Sequence, residues 1–396
     1  MLVTGPTDAT ENRMKIAKLA FGLICLAILA SNVVTMSRWS EARGVYDDIC
    51  YLRQAHLFQR LGLGGLNTNA ALDYDGYFEG KMKQIAFAEW QDPIRWPCHN
   101  PMPSGKDVMQ YPPGTGFLLA LFPEGHQVAP LYIAASLIVC GLALSGIAMA
   151  RTLPSLVGAG LFGALAVYLM INPAKASYSV APTMAVCAVA GFLTALWLTR
   201  EKRSVLLIAL IGLLLGASVN FRLPNALLAA GYAIYLAVAF LRMRTLSAFA
   251  QGLGFAAAVL VGMAPTLLAQ AVNAGSPLAT TYGSADVVAP AFDLAVLGQY
   301  VRDMQFVLIV LAIGSTAWLL RVGQGSVRQV ALVVAGNLVV NLGFFLSHPI
   351  FTPYYIVPIA MLSLWSTSFA RLMQPEQVRQ AASLGREPTS LGVPSR

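Results

Sequence analysis

The sequence predicts an all-α polytopic membrane protein with about ten transmembrane helices. It also predicts a large first extracytoplasmic loop carrying interfacial helices. Three observations lead there. Apolar residues make up 57% of the 396-residue chain and charged residues only 11%, with a mean hydropathy of +0.64. Soluble domains carry about 25% charged residues. From about residue 126 to residue 370 the chain is almost continuously apolar. Lys and Arg then gather in alternate connections along that region. This composition excludes a water-soluble enzyme, a disordered chain and a coiled coil. The net charge of +8 is dispersed, with no run pairing Lys or Arg with aromatics. We read it as the positive-inside bias of a membrane protein and expect no nucleic-acid binding.

A spanning helix needs about 20 largely apolar residues. The first candidate runs from about Ala17 to Met36, flanked by Arg13, Lys15 and Lys18. It reads as an uncleaved signal anchor, since no clean small-x-small site follows it. After a polar stretch from Ser37 to about Gly125, cuts at charges, prolines and polar clusters give further spans. These are near 126–150, 155–171, 182–199, 204–220, 223–241, 248–271, 303–320, 329–346 and 354–370. Residues 204–241 hold one charge, Arg222. As a single helix they would be about 57 Å long against a hydrocarbon core of about 30 Å. Two spans joined by a tight turn at Asn220-Phe221-Arg222-Leu223-Pro224-Asn225 fit better.

With the N-terminus inside, the inner connections hold Arg151, Arg200, Lys202, Arg203, Arg242, Arg244, Arg321, Arg328 and Arg371. The short outer ones hold only Lys175, Arg222 and Arg302. This alternation places both ends in the cytoplasm. Residues 1–370 then form one transmembrane domain, with the loop 37–125 inserted after the first span. Residues 371–396 form a polar tail expected to be disordered. The predicted location is a bacterial inner membrane, with the polar site facing outward.

Ten of the 18 acidic residues fall in the first loop: Glu41, Asp47, Asp48, Asp73, Asp75, Glu79, Glu89, Asp92, Asp107 and Glu124. Long loops in compact proteins are usually functional. Ile49, Leu52, Ala55, Leu57 and Phe58 make one helical stripe, and Tyr77, Met82, Ile85, Phe87 and Trp90 suggest another. Such helices can lie in the membrane interface. Cys50 and Cys98 lie in this loop, and an oxidising compartment would permit a bridge between them; two unpaired thiols are the other reading. Cys25, Cys140 and Cys187 fall within spans and read as core residues. His56, His99, His126 and His348 show no metal-ligand spacing, so no structural zinc site is expected.

Four features bear on chemistry. Asp47 and Asp48 stand about ten residues beyond the first span, within reach of a lipid headgroup. A carboxylate there suits a general base toward a hydroxyl, and it equally suits the N-cap of the helix that follows. Arg222 interrupts an apolar run on the outer side. It suits a phosphate, or it snorkels without a ligand. The segment from Gln110-Tyr111-Pro112-Pro113 to Phe122 reads as a short re-entrant or interfacial helix; its glycines lack the Gly-Lys-Ser/Thr of a phosphate loop. His348 to Pro358, with Tyr354 and Tyr355, opens the last span, where aromatic-belt anchoring is the plain reading of the tyrosines.

Taken together, these segments resemble the GT-C-type membrane glycosyltransferases. The nearest branch is the bacterial relatives of protein O-mannosyltransferases and of the lipid A aminoarabinose transferase. The matching segments, in order, are Asp47-Asp48-Ile49-Cys50-Tyr51, then Tyr111-Pro112-Pro113, then Gly212-Leu213-Leu214-Leu215-Gly216 with Arg222 and Pro224, and Gly275-Ser276-Pro277-Leu278-Ala279-Thr280-Thr281-Tyr282-Gly283. The resemblance covers about residues 14–370. Two positions depart: Gln110-Tyr111 stands where a His often precedes Pro-Pro, and Tyr354 stands where the family often has Arg.

The resemblance implies an inverting glycosyltransferase taking a sugar from a polyprenyl-phosphate donor. The acceptor hydroxyl would belong to a glycolipid, polysaccharide or protein. Asp47 or Asp48 would be the base, Asp47 mapping more naturally onto the family's acid. Arg222, with Tyr354 and His348, would hold the donor phosphate. Tyr51, Tyr111, Gln110 and Tyr355 would line the substrate pocket. No cofactor is required, although a divalent cation is compatible with paired acids. The alternatives are a transporter or flippase of a lipid-linked glycan, which would place its polar groups at mid-membrane, and a lipopolysaccharide-type ligase, whose large loop usually comes late.

Overall fold

A computed structural model describes residues 8–41, 46–87, 96–171, 177–283, 289–303, 305–348, 351 and 353–374. Several expectations lie outside these residues: the tail beyond 374, Lys175, and the first-loop residues Glu89, Trp90 and Asp92.

The chain is a helical, polytopic membrane protein. Among the described residues, eight helices are long and apolar enough to cross a membrane. They are Glu11–Met36, Val128–Met149, Val180–Thr199, Leu223–Met243, Leu246–Ala274, Gln305–Val322, Gly325–Ser347 and Pro353–Met373. The remaining two expected spans are also apolar helices, but shorter: Leu153–Leu169 and Val205–Val219. In chain order we name α1 (Asp8–Met36), α2 (Tyr46–Leu61), α3 (Tyr77–Gln84), α4 (Gly114–Ala120), α5 (Val128–Met149), α6 (Leu153–Leu169) and α7 (Val180–Thr199). Then follow α8 (Val205–Val219), α9 (Ala230–Met243), α10 (Leu246–Ala274), α11 (Leu294–Arg302), α12 (Gln305–Val322), α13 (Gly325–Ser347) and α14 (Val357–Met373).

The helix boundaries have local causes. Thr152 caps α6 and Ser155 answers it in a capping box, with Pro154 in the first turn, so the helix starts where Arg151 leaves the apolar run. Ser204 caps α8 and Thr245 caps α10 in the same way, each by accepting a backbone N–H. The break inside 204–241 falls in the expected turn: α8 ends at Val219, and a 3₁₀ segment, Leu223–Ala229, leads into α9 with Pro224 near its start.

At the centre of the bundle α7 and α14 pack on each other and are buried on nearly every side. The closest helix pair is α8 with α10. Gly212 and Gly216 explain it, because a Cβ on Gly216 would stand 2.2 Å from the Val259 carbonyl oxygen. A small-xxx-small stripe lets two backbones touch where apolar solvent gives no hydrophobic drive.

Asn220, just past α8, joins the same pair by a different device. Pro265 inside α10 supplies no N–H. One residue on, the Thr266 N–H donates to Asn220 Oδ1 at 2.9 Å, and Asn220 Nδ2 donates to the Gly262 carbonyl at 2.7 Å. The Asn220 amide thus stands in for the regular bond from Thr266 to Gly262. Backbone groups freed in an apolar setting need such a partner.

The first loop folds as a cap over one end of the bundle. Its strut, α2, was expected to be one-sided, with a stripe facing the interface. Instead the run Asp48–Ala55 is buried on all faces, Arg53 and Gln54 included. Arg53 reaches the carbonyls of Thr68 and Asn69 at 3.0 Å each and lies 3.6 Å from Asp73. Cys50 and Cys98 are disulfide-bonded, which closes the loop, while Cys25, Cys140 and Cys187 are free and buried in the bundle.

The all-α expectation is corrected in one place. His99–Pro101 (β1) and Asp107–Met109 (β2) form a two-stranded antiparallel hairpin. Gly105, with φ +76°, supplies the left-handed turn residue. The pair is too short for a period-2 pattern to stand out in sequence.

Candidate functional site

The site lies where the first loop meets the ends of α8 and α14. Asp47 and Asp48 occupy the first turn of α2, where negative charge suits the helix dipole. Successive residues of a helix point about 100° apart, and the two acids part company. Asp48 is fully buried and accepts the Tyr178 backbone N–H at 3.1 Å, ahead of α7. Asp47 turns to the mouth of the bundle. Its Oδ2 accepts from Arg222 Nη2 at 2.9 Å, and its Oδ1 accepts from the Tyr111 hydroxyl.

Arg222 sits in the turn after α8 and is 5% exposed. Its guanidinium lies 4.4 Å from the ring centre of Tyr355 and 4.8 Å from that of Tyr354, the two rings being stacked on each other. Cation–π contact of this kind strengthens when water is excluded. Nε and Nη1 of Arg222 are buried without a hydrogen-bond partner. Burial opposes the charge, yet the facing Tyr355, Tyr354 and Tyr51 and the Asp47 carboxylate hold the pKa well above the usual range. The group is a buried cation with two donors unspent.

Tyr111 and Tyr51 form the opposite wall, their rings stacked at 5.0 Å. The Tyr51 hydroxyl donates to the Phe221 carbonyl at 3.4 Å, next to Arg222. Burial pushes Tyr51 up to about 12 and holds Tyr111 well above the usual range, with the Asp47 charge adding to the second shift. Both phenols therefore stay protonated donors.

Gln110 stands one step back. Its side chain accepts from Asn100 at 3.1 Å, and its carbonyl accepts from Thr281 at 2.9 Å. Tyr282 packs edge-on to Tyr111 at 6.4 Å. The segment 275–283 thus returns to the site across more than 160 residues. His348 is not at the guanidinium. It ends α13, bonds the Phe344 carbonyl at 2.7 Å and stacks on Phe344 at 4.1 Å. Phe351 and Tyr355 connect this aromatic cluster to Arg222.

Two anchoring residues were not singled out in the sequence. Glu41 accepts the N–H groups of Gln127 and Val128, the latter at 3.0 Å, and so ties the loop's start to the first turn of α5. Asn220 accepts the Gly114 N–H at 2.7 Å through its carbonyl. A Cβ on Gly114 would stand 2.8 Å from that carbonyl oxygen, so only glycine lets α4 dock there. Sequence signals existed for both: an acid at the loop's start, and an Asn beside a Gly-spaced helix end.

Among the described residues, no group of three His, Cys, Asp or Glu is placed to share a metal ion. Asp47 and Asp48 take different partners, Arg222 and the Tyr178 N–H. Comparison of the sequence with protein-family models and with characterised proteins returned no match.

Proposed function

We propose that the chain is a membrane glycosyltransferase that moves a sugar from a polyprenyl-phosphate donor to an acceptor hydroxyl. The observation that carries this reading is the Asp47–Arg222 pair: a partly exposed carboxylate beside a buried guanidinium with Nε and Nη1 unspent. Each unspent N–H is a charge-assisted donor that suits a phosphate oxygen. The order of segments along the chain supports the same reading.

In this scheme Arg222 keeps Nη2 on Asp47 and offers one of its unspent N–H groups to the donor phosphate. Asp47 takes the proton of the acceptor hydroxyl. The acceptor oxygen forms a bond to the anomeric carbon as the bond from that carbon to the phosphate oxygen breaks. The electron pair leaves on polyprenyl phosphate, and the guanidinium stabilises it. Attack opposite the leaving group inverts the centre. Tyr111 orients the Asp47 carboxylate, and Tyr354 and Tyr355 orient the guanidinium. Asp48 has a structural role, holding the approach to α7.

We read α6 and α8 as spans too, which gives ten with both ends cytoplasmic. The loop then faces an oxidising exterior, which suits the Cys50–Cys98 bridge. A bacterial inner membrane fits this arrangement.

The test is transfer from radiolabelled polyprenyl-phosphate sugars to membrane acceptors in proteoliposomes. Transfer by the wild type, lost in Asp47→Asn and in Arg222→Ala, is expected. Transfer that survives both substitutions rejects the site. Label that crosses the bilayer without being transferred makes the chain a flippase instead.

A further inference from the structure

A cavity lies far from this site. Its volume is about 640 Å³, inside the range of about 300–1,000 Å³ for small-molecule pockets. It opens between α6 and α12, with α14 as its floor. Arg371, in the last turn of α14, lines it. From Val357, near Arg222, to Arg371 the helix rises about 21 Å. The cavity and the Asp47–Arg222 pair are therefore at opposite ends of the bundle.

The walls divide by chemistry. Gly158, Leu161, Leu165 and Leu311 line an apolar slot. At one end stands the Arg371 guanidinium, 4.6 Å above the ring of Trp318, which is itself 48% exposed. Ser155 and Thr367 line the cavity on either side. Among the described residues no acidic one lines it, and exposed Arg151 and Arg321 adjoin lining residues Thr152 and Val322 in sequence. A slot open between membrane helices, apolar along its length and cationic at its mouth, has the polarity of an anionic lipid. Basic pockets between membrane helices take such headgroups.

We propose that this cavity is a binding site for an anionic phospholipid, one acyl chain lying against Gly158 and Leu161 and the phosphate at Arg371. The site is independent of the glycosyl-transfer reading and is tested without activity.

The experiment places the full chain in vesicles containing dibrominated phosphatidylglycerol or dibrominated phosphatidylcholine and reads tryptophan quenching. The difference between wild type and Trp318→Phe isolates Trp318. One basic contact implies about a fivefold preference for the anionic lipid. Two variants remove it. Arg371→Gln deletes the charge. Gly158→Phe fills the slot from a position where a Cβ meets nothing within 4 Å. Preferential quenching that is lost in both variants supports the site. Equal quenching by the two lipids, or a preference unchanged in either variant, marks ordinary surrounding lipid and overturns it.

Discussion

Asp47 and Arg222 meet at 2.9 Å from positions 175 residues apart, one on a loop helix and the other in the turn between two apolar helices. The turn is rigid because Asn220 is built into α10, and the loop helix is rigid because α2 is buried on all sides. Two stiff elements therefore fix a contact between one partly exposed and one buried charge.

The pair predicts an unequal set of variants. Asp47→Asn should lower kcat by about 10²–10⁴, the usual worth of a general base. Arg222→Lys keeps the charge but loses the fork, so transfer should fall by about 10²–10³ with folding retained. Asp48→Asn should act on stability, since the buried Tyr178 N–H loses its charged acceptor at a cost of about 1–3 kcal/mol. Single-turnover transfer and thermal unfolding in detergent separate the two classes. Equal kinetic losses at Asp47 and Asp48 would remove the distinction between them.

Asn220 should be sensitive without touching substrate. Asn220→Ala frees the Gly262 carbonyl and the Thr266 N–H inside the bundle, at a cost of about 1–3 kcal/mol. The variant keeps the backbone carbonyl that anchors Gly114, so KM should rise only as far as the turn carrying Arg222 shifts. Thermal unfolding together with KM tests this, and an unchanged melting point would show that α10 re-forms its own bond.

The α8–α10 seam predicts opposite signs at two glycines. Gly216→Ala drives a Cβ into the Val259 carbonyl and should cost about 1–3 kcal/mol. Gly252 in α10 has open space around it, so Gly252→Ala should stabilise by about 0.5–1 kcal/mol. Melting temperatures in one detergent decide it.

The loop should lose a support in acid. Asp75 accepts from His56 at 2.8 Å, from the Tyr77 N–H at 3.3 Å and from Arg60. Burial works against its charge, but these bonds hold the carboxyl down at about 2, against an ordinary 3.8. A lowered carboxyl pKa stabilises the fold fully above 3.8 and loses that contribution as pH falls toward 2. The melting-point gap between wild type and Asp75→Asn should narrow as pH falls below 4. A gap that widens below pH 4 would contradict this.

Much of the frame was readable from composition, because apolar length and the placement of Arg and Lys act locally along the chain. The break at 220–225 followed from length alone. Asp47 and Arg222 could be nominated from residue type, but their meeting could not: nothing periodic links positions in different elements. Asn220 needed knowledge of Pro265, next to which the Thr266 N–H turns from Gly262 to the Asn220 side chain. The tyrosines at 354 and 355 carried the ordinary signature of a membrane belt, which hid their place over Arg222. His348 carried the signature of a ligand and instead ends its own helix. The hairpin at 99–109 was hidden by strands of three residues each.

The wall of tyrosines has a consequence for biogenesis. Asp47 emerges early in synthesis, Arg222 near the middle, and Tyr354 and Tyr355 almost at the end. The guanidinium therefore waits, uncovered on one side, until the last helix is delivered. A nascent chain halted before residue 354 can close its disulfide and bury α2, yet it holds no finished pocket. The order of translation thus acts as a safeguard, because no partly inserted chain carries a complete centre.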